Sequence, residues 1–426
     1  KRDKTLCKPI KIKIMKLKSL LLVTTSFLTL FVVHGQQKKS IVVPNENLIT
    51  ENIAEISKQL SNEVKKYSES RSASLGDIHP LTNEIIINTR FGSTPQLHRV
   101  SKSMGARTQI TFFDEPVSAT SFEPLKGEYL VYSKDIGGNE FGQLFKLDLK
   151  TLQSTLLTDG GKSQNGGITW RKDGKGFYYA STKRNGGDRD IYYMDPNNPK
   201  SEKLILQVKG GGWGIQDISP DNKKLVLGEY ISINESYIWL LDIETGKLTE
   251  VTDRNSKGIS QSEATFSNLS NEIWLVTDKD NEFQRLAAMN LNTKKTTYYT
   301  SDIPWNVESF NLSEDKKSIV FITNEGGLNK MYLMNTGTKA YKEIKNLPIG
   351  LISGARFTKD NQTIFFNQST AQSASDVYQL NIKTAKIERW TESELGEMQP
   401  SDMSVPKFIE WKSFDDLKIS GFYQIQ

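Results

Sequence analysis

From about residue 75 onward, apolar and polar residues alternate in short runs broken by Gly, Pro, Asn and Asp, the pattern of half-buried strands joined by tight turns. The stretch before it has a different period. In NLITENIAEISKQLSNEVKKY, residues 47 to 67, Ile49, Ile53, Ile56, Leu60, Val64 and Tyr67 succeed one another at steps of four, three, four, four and three. That spacing predicts one apolar stripe on a short amphipathic helix, with Thr50 as its N-cap and Glu51 in its first turn. Such a stripe has to be buried against something.

The strand region repeats itself. ISPDNKKLVL at 218 to 227 combines a turn made by Pro220, Asp221 and Asn222 with a strand rich in branched residues. Related phrases begin at Ile78, Phe122, Trp170, Phe266, Asn311 and Phe357. With Pro80, Pro124, Lys172, Pro220, Leu269, Glu314 and Lys359 taken as equivalent, the steps are 44, 48, 48, 49, 45 and 45 residues. A second mark keeps the same register: Asp148, Asp195, Asp242, Asn290, Asn335 and Asn381 each end a strand at a hairpin, at steps of 47, 47, 48, 45 and 46. Asp and Asn suit that place because their side chains bond the backbone two residues on. The fourth unit shows four strands, at 215–218, 224–229, 237–242 and 247–252. Seven four-stranded units predict an all-β fold, a seven-bladed β-propeller over 75–395, because one blade cannot bury its own faces whereas a ring of blades can.

Charge adds little once it is located. The net charge of +5 comes from the N-terminus, where residues 1 to 35 hold eight of the 55 Lys and Arg and one acid, Asp3, of the 50. Removing them leaves 47 basic against 49 acidic residues, and with that goes the case for a nucleic-acid surface. Residues 1–14 read as an upstream, non-native extension. From Met15, MKLKSLLLVTTSFLTLFVVHGQ has the basic start, apolar run and small-residue exit of a signal peptide over 15–35, so the expected location is exported, periplasmic or secreted. The apolar run is too short for a stable membrane span. Cys7 is the only cysteine and lies in the upstream extension, which leaves no disulfide, thiol catalysis or cysteine metal site in the mature chain.

Catalytic patterns are scarce. The nearest approach to G-x-S-x-G, GKSQN at 161–165, has Asn165 in place of the second glycine, and Leu156 stands where a phosphate loop needs its first. His79 and His98 match no metal spacing and have no nucleophile beside them in sequence. Asp278, Asp280 and Glu282 lack the twelve-residue calcium pattern. The glycine pairs and the run Gly210 to Gly212 read as turns, and the tryptophans from Trp170 to Trp390 as packing between blades. Glu140, in GGNEFGQ, is the one acid between strands that is read as facing a channel or a substrate amine. No catalytic, cofactor or metal residue is assigned.

SPDNKKLVL is similar to the repeat of TolB-like propellers and of propellers in prolyl oligopeptidase relatives. LGDIHPLTNEIIINTRFGSTPQLHRVSKSMGARTQITFF at 75–113, with the helix before it, resembles the opening blade of serine peptidases of the prolyl oligopeptidase family, in the acylaminoacyl peptidase and dipeptidyl aminopeptidase branch. PKFIEWKSFDDLKISGFY at 406–423 resembles the start of that family's hydrolase domain, with Asp416 where the family has glycine. The resemblance implies 36–74 as an N-terminal helical segment and 396–426 as the connection and first strands of an α/β-hydrolase domain whose Ser, His and Asp follow Gln426. It further implies an exported peptidase of short peptides, with the propeller gating and docking substrate for a hydrolase domain of the same polypeptide. The alternative is a free-standing TolB-like periplasmic propeller that binds another protein.

Overall fold

The computed structural model describes residues 40–425. The upstream extension and the signal segment lie outside the described residues. Two compact units are distinguished, one ending at Asn62 and the other starting at Glu63.

In the first unit Ile41 forms a β-bridge with Ser57, and the Val42 amide donates to the Ile56 carbonyl at 2.9 Å. This corrects the expected helix over 47–67. The helix is Lys58–Ser68 only, and Thr50 does not cap it. Two features stop it from starting earlier. Asn52 takes a left-handed φ of 58°, and residues 56–58 are already paired with 40–42. Ser57 is the cap: its hydroxyl accepts the Leu60 amide at 3.1 Å, and its carbonyl accepts that of Ser61 at 3.0 Å. No helix residue is buried, and Ile49, Ile53, Leu60, Val64 and Tyr67 are all more than half exposed.

The second unit contains, among the described residues, seven four-stranded antiparallel sheets, each a simple meander of consecutive strands. They cover 74–109, 118–156, 165–206, 213–250, 261–298, 306–343 and 351–389, and are called blades 1 to 7 below. The repeated phrases of the sequence fall at the turn between the first and second strands of every blade. The Asp and Asn marks fall at the turn between third and fourth: Asp148 Oδ1 accepts the amides of Lys150 and Thr151, and Asn290 Oδ1 those of Asn292 and Thr293, at 2.8 to 3.0 Å. Fourth strands have two or three residues in six blades; blade 3 differs, with nine in Asn198–Leu206.

Each pair of neighbouring blades sandwiches its own apolar cluster. Between blades 4 and 5, for example, Val226 and Ile238 pack with Phe266, Ile273 and Leu275. Trp274 and Trp390 lie in such clusters, the first with Phe321 of blade 6 and the second joining Val377 of blade 7 to Ile85 and Ile87 of blade 1. The ring closes there without strand exchange, since blade 1 takes all four strands from 74–109. The seam is held instead by the Ala73 amide on the Ser375 carbonyl at 2.8 Å, the Met104 amide on the Trp390 carbonyl at 2.9 Å, and a buried charge cluster. Asp376, fully buried, accepts Arg389 at 2.7 Å, the hydroxyls of Thr391 and Ser393, and lies 3.6 Å from Arg107 of blade 1.

After blade 7, Lys407–Lys412 and Lys418–Tyr423 form an antiparallel hairpin. Asp416 sits in its turn with φ 64°, the conformation glycine would adopt without strain.

Candidate functional site

The first strands touch between blades 1 and 2, 3 and 4, 4 and 5, 5 and 6, and 6 and 7, and so line the axis of the ring. Each of the seven carries one residue more than the strand it pairs with, a bulge at an equivalent place. A bulge re-aims a side chain out of the pleat. Here the bulged stretches offer Gly76, Ala119, Gly167 and Gly354 on blades 1, 2, 3 and 7, against Gln216, Glu263 and Glu308 on blades 4, 5 and 6. The channel wall is therefore small-sided on one half and polar on the other. A hollow of about 410 Å³ between Ser74, Gly76, Asn88, Ala119, Thr120 and Arg356 occupies the small-sided half.

Polar side chains of both halves also stitch blade to blade. Gln216 Oε1 accepts the Ala264 amide at 2.5 Å, Glu263 Oε2 that of Phe310 at 2.8 Å, and Asp77 Oδ2 that of Phe122 at 2.7 Å. Burial pushes the Asp77 carboxyl up; the Arg356 guanidinium at 3.5 Å and the Phe122 amide offset only part of that.

A four-stranded meander puts the turns between strands 1 and 2 and between 3 and 4 on one face of the ring. The loops between strands 2 and 3 and the links between blades fall on the other. At the turn face a hollow of about 280 Å³ opens among Asp77, Pro80, Pro124, Trp170, Glu314 and Lys359. Lys359 of blade 7 reaches across it to donate to the Pro124 carbonyl of blade 2, and Lys172 pairs with Asp217 at 3.4 Å. Burial pulls the nearby Lys316 ammonium down, Asp217 opposing it.

Glu140 lies on the loop face, in the connection between strands 2 and 3 of blade 2. It is exposed, with φ 62°, and its amide donates to Asp135 Oδ2 at 2.9 Å. Glu115 anchors the same loop through the Gly137 amide at 2.8 Å, which holds its carboxyl below the usual range. The histidines are elsewhere. His79 is a turn residue whose Nδ1 accepts the amides of Leu81 and Thr82, and His98 is buried in a strand with Nδ1 at 3.1 Å from the Gln96 carbonyl. Glu140, His79 and His98 thus occupy three separate places and form no constellation. Asp278 accepts the Ser260 amide at 2.8 Å, as a loop-tying residue.

One repeated polar device escaped the sequence reading. In five blades a threonine hydroxyl accepts the amide of a third-strand residue 14 positions earlier: Thr111 from Leu97, Thr158 from Leu144, Thr252 from Ile238, Thr300 from Leu286 and Thr391 from Val377, at 2.8 to 3.1 Å. Its signal is a threonine directly after a large apolar residue, as in LLTDG, EVTDR, YYTSD and RWTES.

The hairpin after blade 7 packs on the loop face of blade 6, with Phe408, Ser420 and Phe422 against Gly326 and Gly327. Beside it an apolar hollow of about 570 Å³ opens among Leu328, Pro348, Ile349, Leu351, Val405 and Phe422. Trp411, Phe414 and Leu417 remain exposed.

A bulged, uninterrupted ring of seven meanders closed by packing defines a seven-bladed β-propeller. Residues 117–393 match the family described as prolyl oligopeptidase, N-terminal β-propeller domain, and the chain belongs to that family. Among solved structures, a prolyl endopeptidase studied for inter-domain dynamics in catalysis and specificity is similar over 86% of this chain and 56% of its own, with 13% identity and a TM-score of 0.68. Prolyl oligopeptidase B from Galerina marginata is similar over 86% and 57%, with 15% identity and a TM-score of 0.64. The same protein bound to a 35mer hydrolysis and macrocyclization substrate gives a TM-score of 0.66. At these identities the likeness is one of fold. The chain spans a little over half the length of these structures. A comparison with curated proteins returns no match.

Proposed function

We propose that this chain is the propeller portion of an exported serine peptidase of short peptides, and that it gates and docks substrate for a catalytic domain lying beyond Gln426. The observation that carries the reading is the hairpin after blade 7. It holds Trp411, Phe414 and Leu417 in solvent on the face where the chain enters and leaves the ring, beside an apolar hollow of about 570 Å³. A second domain seated there would remove that surface from water. The turn-face hollow, crossed by Lys359, supports a filter that admits short extended peptides and rejects folded chains. On this reading Glu140, exposed on the loop face, meets a substrate amine. The chemistry in the whole protein would be acyl transfer by a Ser, His and Asp triad. On this reading the residues at hand position and select, and none of them reacts.

The test is to sequence the coding DNA downstream of the Gln426 codon. The expected result is an open frame of roughly 200 residues or more containing G-x-S-x-G followed by Asp and then His. A stop codon at once would overturn the peptidase reading and favour a lone propeller that binds another protein.

A further inference from the structure

Arg189 is an arginine without a counter-ion. It ends the loop between strands 2 and 3 of blade 3, and no hydrogen bond or ion pair is made by its guanidinium to any described residue. Its Nε is buried and lacks an acceptor. Two acids flank it in sequence, but both are taken by another residue. Arg184 pairs with Asp190 at 2.5 Å and with Asp188 at 2.8 Å, while the Val208 and Gly210 amides take further oxygens of the same two carboxylates. Glu229, the acid across the hollow, is engaged by Arg254 at 3.0 Å and the Trp239 indole at 2.9 Å. Asp278 is spent on Ser260. The two acids flanking Arg189 and the one acid that lines its hollow are thus committed, and a buried guanidinium nitrogen left unsatisfied calls for an acceptor from outside.

The arginine lines a hollow of about 320 Å³ at the loop-face end of blades 3 to 5, beside the channel. Its other walls suit a peptide end. Ser232 and Ser262 contribute hydroxyls, and Trp213, Tyr230 and Ile233 contribute apolar surface, Ile233 being 78% exposed at the rim. Gly228 in its wall makes room for the Gln216 side chain, since a Cβ there would stand 2.2 Å from Gln216 Nε2.

We propose that this hollow binds the carboxylate of a short peptide, held by Arg189 in a two-pronged pair, with the neighbouring apolar side chain against Trp213 and Ile233. A planar guanidinium matches a carboxylate in both charge and shape. The choice of a peptide rests on the function proposed above; the preference for a carboxylate rests on the unpaired arginine alone.

The experiment is isothermal titration of the full chain with three probes: Ala-Ala-Phe with a free carboxylate, the same peptide as its amide, and Ala-Glu-Phe amide. The expected result is that at least one carboxylate-bearing peptide binds about tenfold or more tightly than Ala-Ala-Phe amide. Which one does so separates a terminal from a side-chain carboxylate. Arg189→Met should abolish the preference and Arg189→Lys should keep part of it, at unchanged melting temperature. Equal binding of the three probes by the unaltered chain overturns the site, and so does a preference that survives Arg189→Met. If Arg189→Met does not fold, a wild-type preference that Arg189→Lys leaves undiminished overturns it as well. A stop codon after Gln426 would refute the peptidase reading and leave this titration standing, so the two fail separately.

Discussion

His98 has its ring almost wholly out of water in the third strand of blade 1, tilted against Phe91 with ring centroids 5.2 Å apart. Burial lowers its pKa, the Gln96 carbonyl opposing and Arg107 assisting; His79 is lowered as well, again by burial first. The folded chain therefore holds both rings neutral, while the unfolded chain binds protons below about 6.5. The stability this contributes is fully present above that value and is lost as pH falls through it toward the depressed folded values. Denaturant midpoints should fall between pH 7.5 and 5.5, and in His98→Gln the fall should be smaller; an equal fall in the variant would refute the assignment. At this scale the sequence was informative wherever a residue's own chemistry decides its place. Asp148 and Asn290 are examples, since a short polar side chain at a hairpin bonds its own turn. It was silent on Arg189, whose significance depends on Arg184 having taken the neighbouring acids.

The threonine pin is the element-scale counterpart. Thr252 is buried, and its hydroxyl accepts the Ile238 amide within the third strand of blade 4. Thr252→Val keeps the shape and leaves that amide unpaired, so a loss of about 1 to 3 kcal/mol is expected from urea unfolding, with Thr252→Ser costing less. If Thr252→Val proves as stable as the wild type, the hydroxyl is dispensable. The helix shows where pattern reading stops. The stripe from Ile49 to Tyr67 has a helical period, but Asn52 turns left-handed and the backbone at 56–58 pairs with 40–42, so only its second half coils. The bulges were equally illegible, because they answer to the fit between one blade's first strand and the next and leave no mark in the alternation.

At the scale of the ring, the blade count and register were open in the sequence because each blade is a contiguous stretch with its own turn signals. How the ring closes was not, since that depends on residues far apart in sequence such as Arg107 and Asp376. Asp376→Ala would strand Arg389 and remove the acid facing Arg107. Losing one partner of a buried pair costs about 3 to 5 kcal/mol. Amide exchange should show the effect first at Ala73 and Met104, two of the amides that bond across the seam. Uniform loss of protection in all blades would instead mean that the seam has no separate role.

The nine-residue outer strand Asn198–Leu206 has a consequence of its own. A row of unpaired amides and carbonyls is a template on which a second molecule can add a strand, and six blades deny that template by keeping their rims to two or three residues. Blade 3 does not, yet Pro199 removes one donor, Lys200 and Lys203 place charge along the rim, and two register shifts against the third strand bend it. The longest rim of the wheel is thus guarded against chain-to-chain stacking by composition and curvature, where its neighbours rely on shortness.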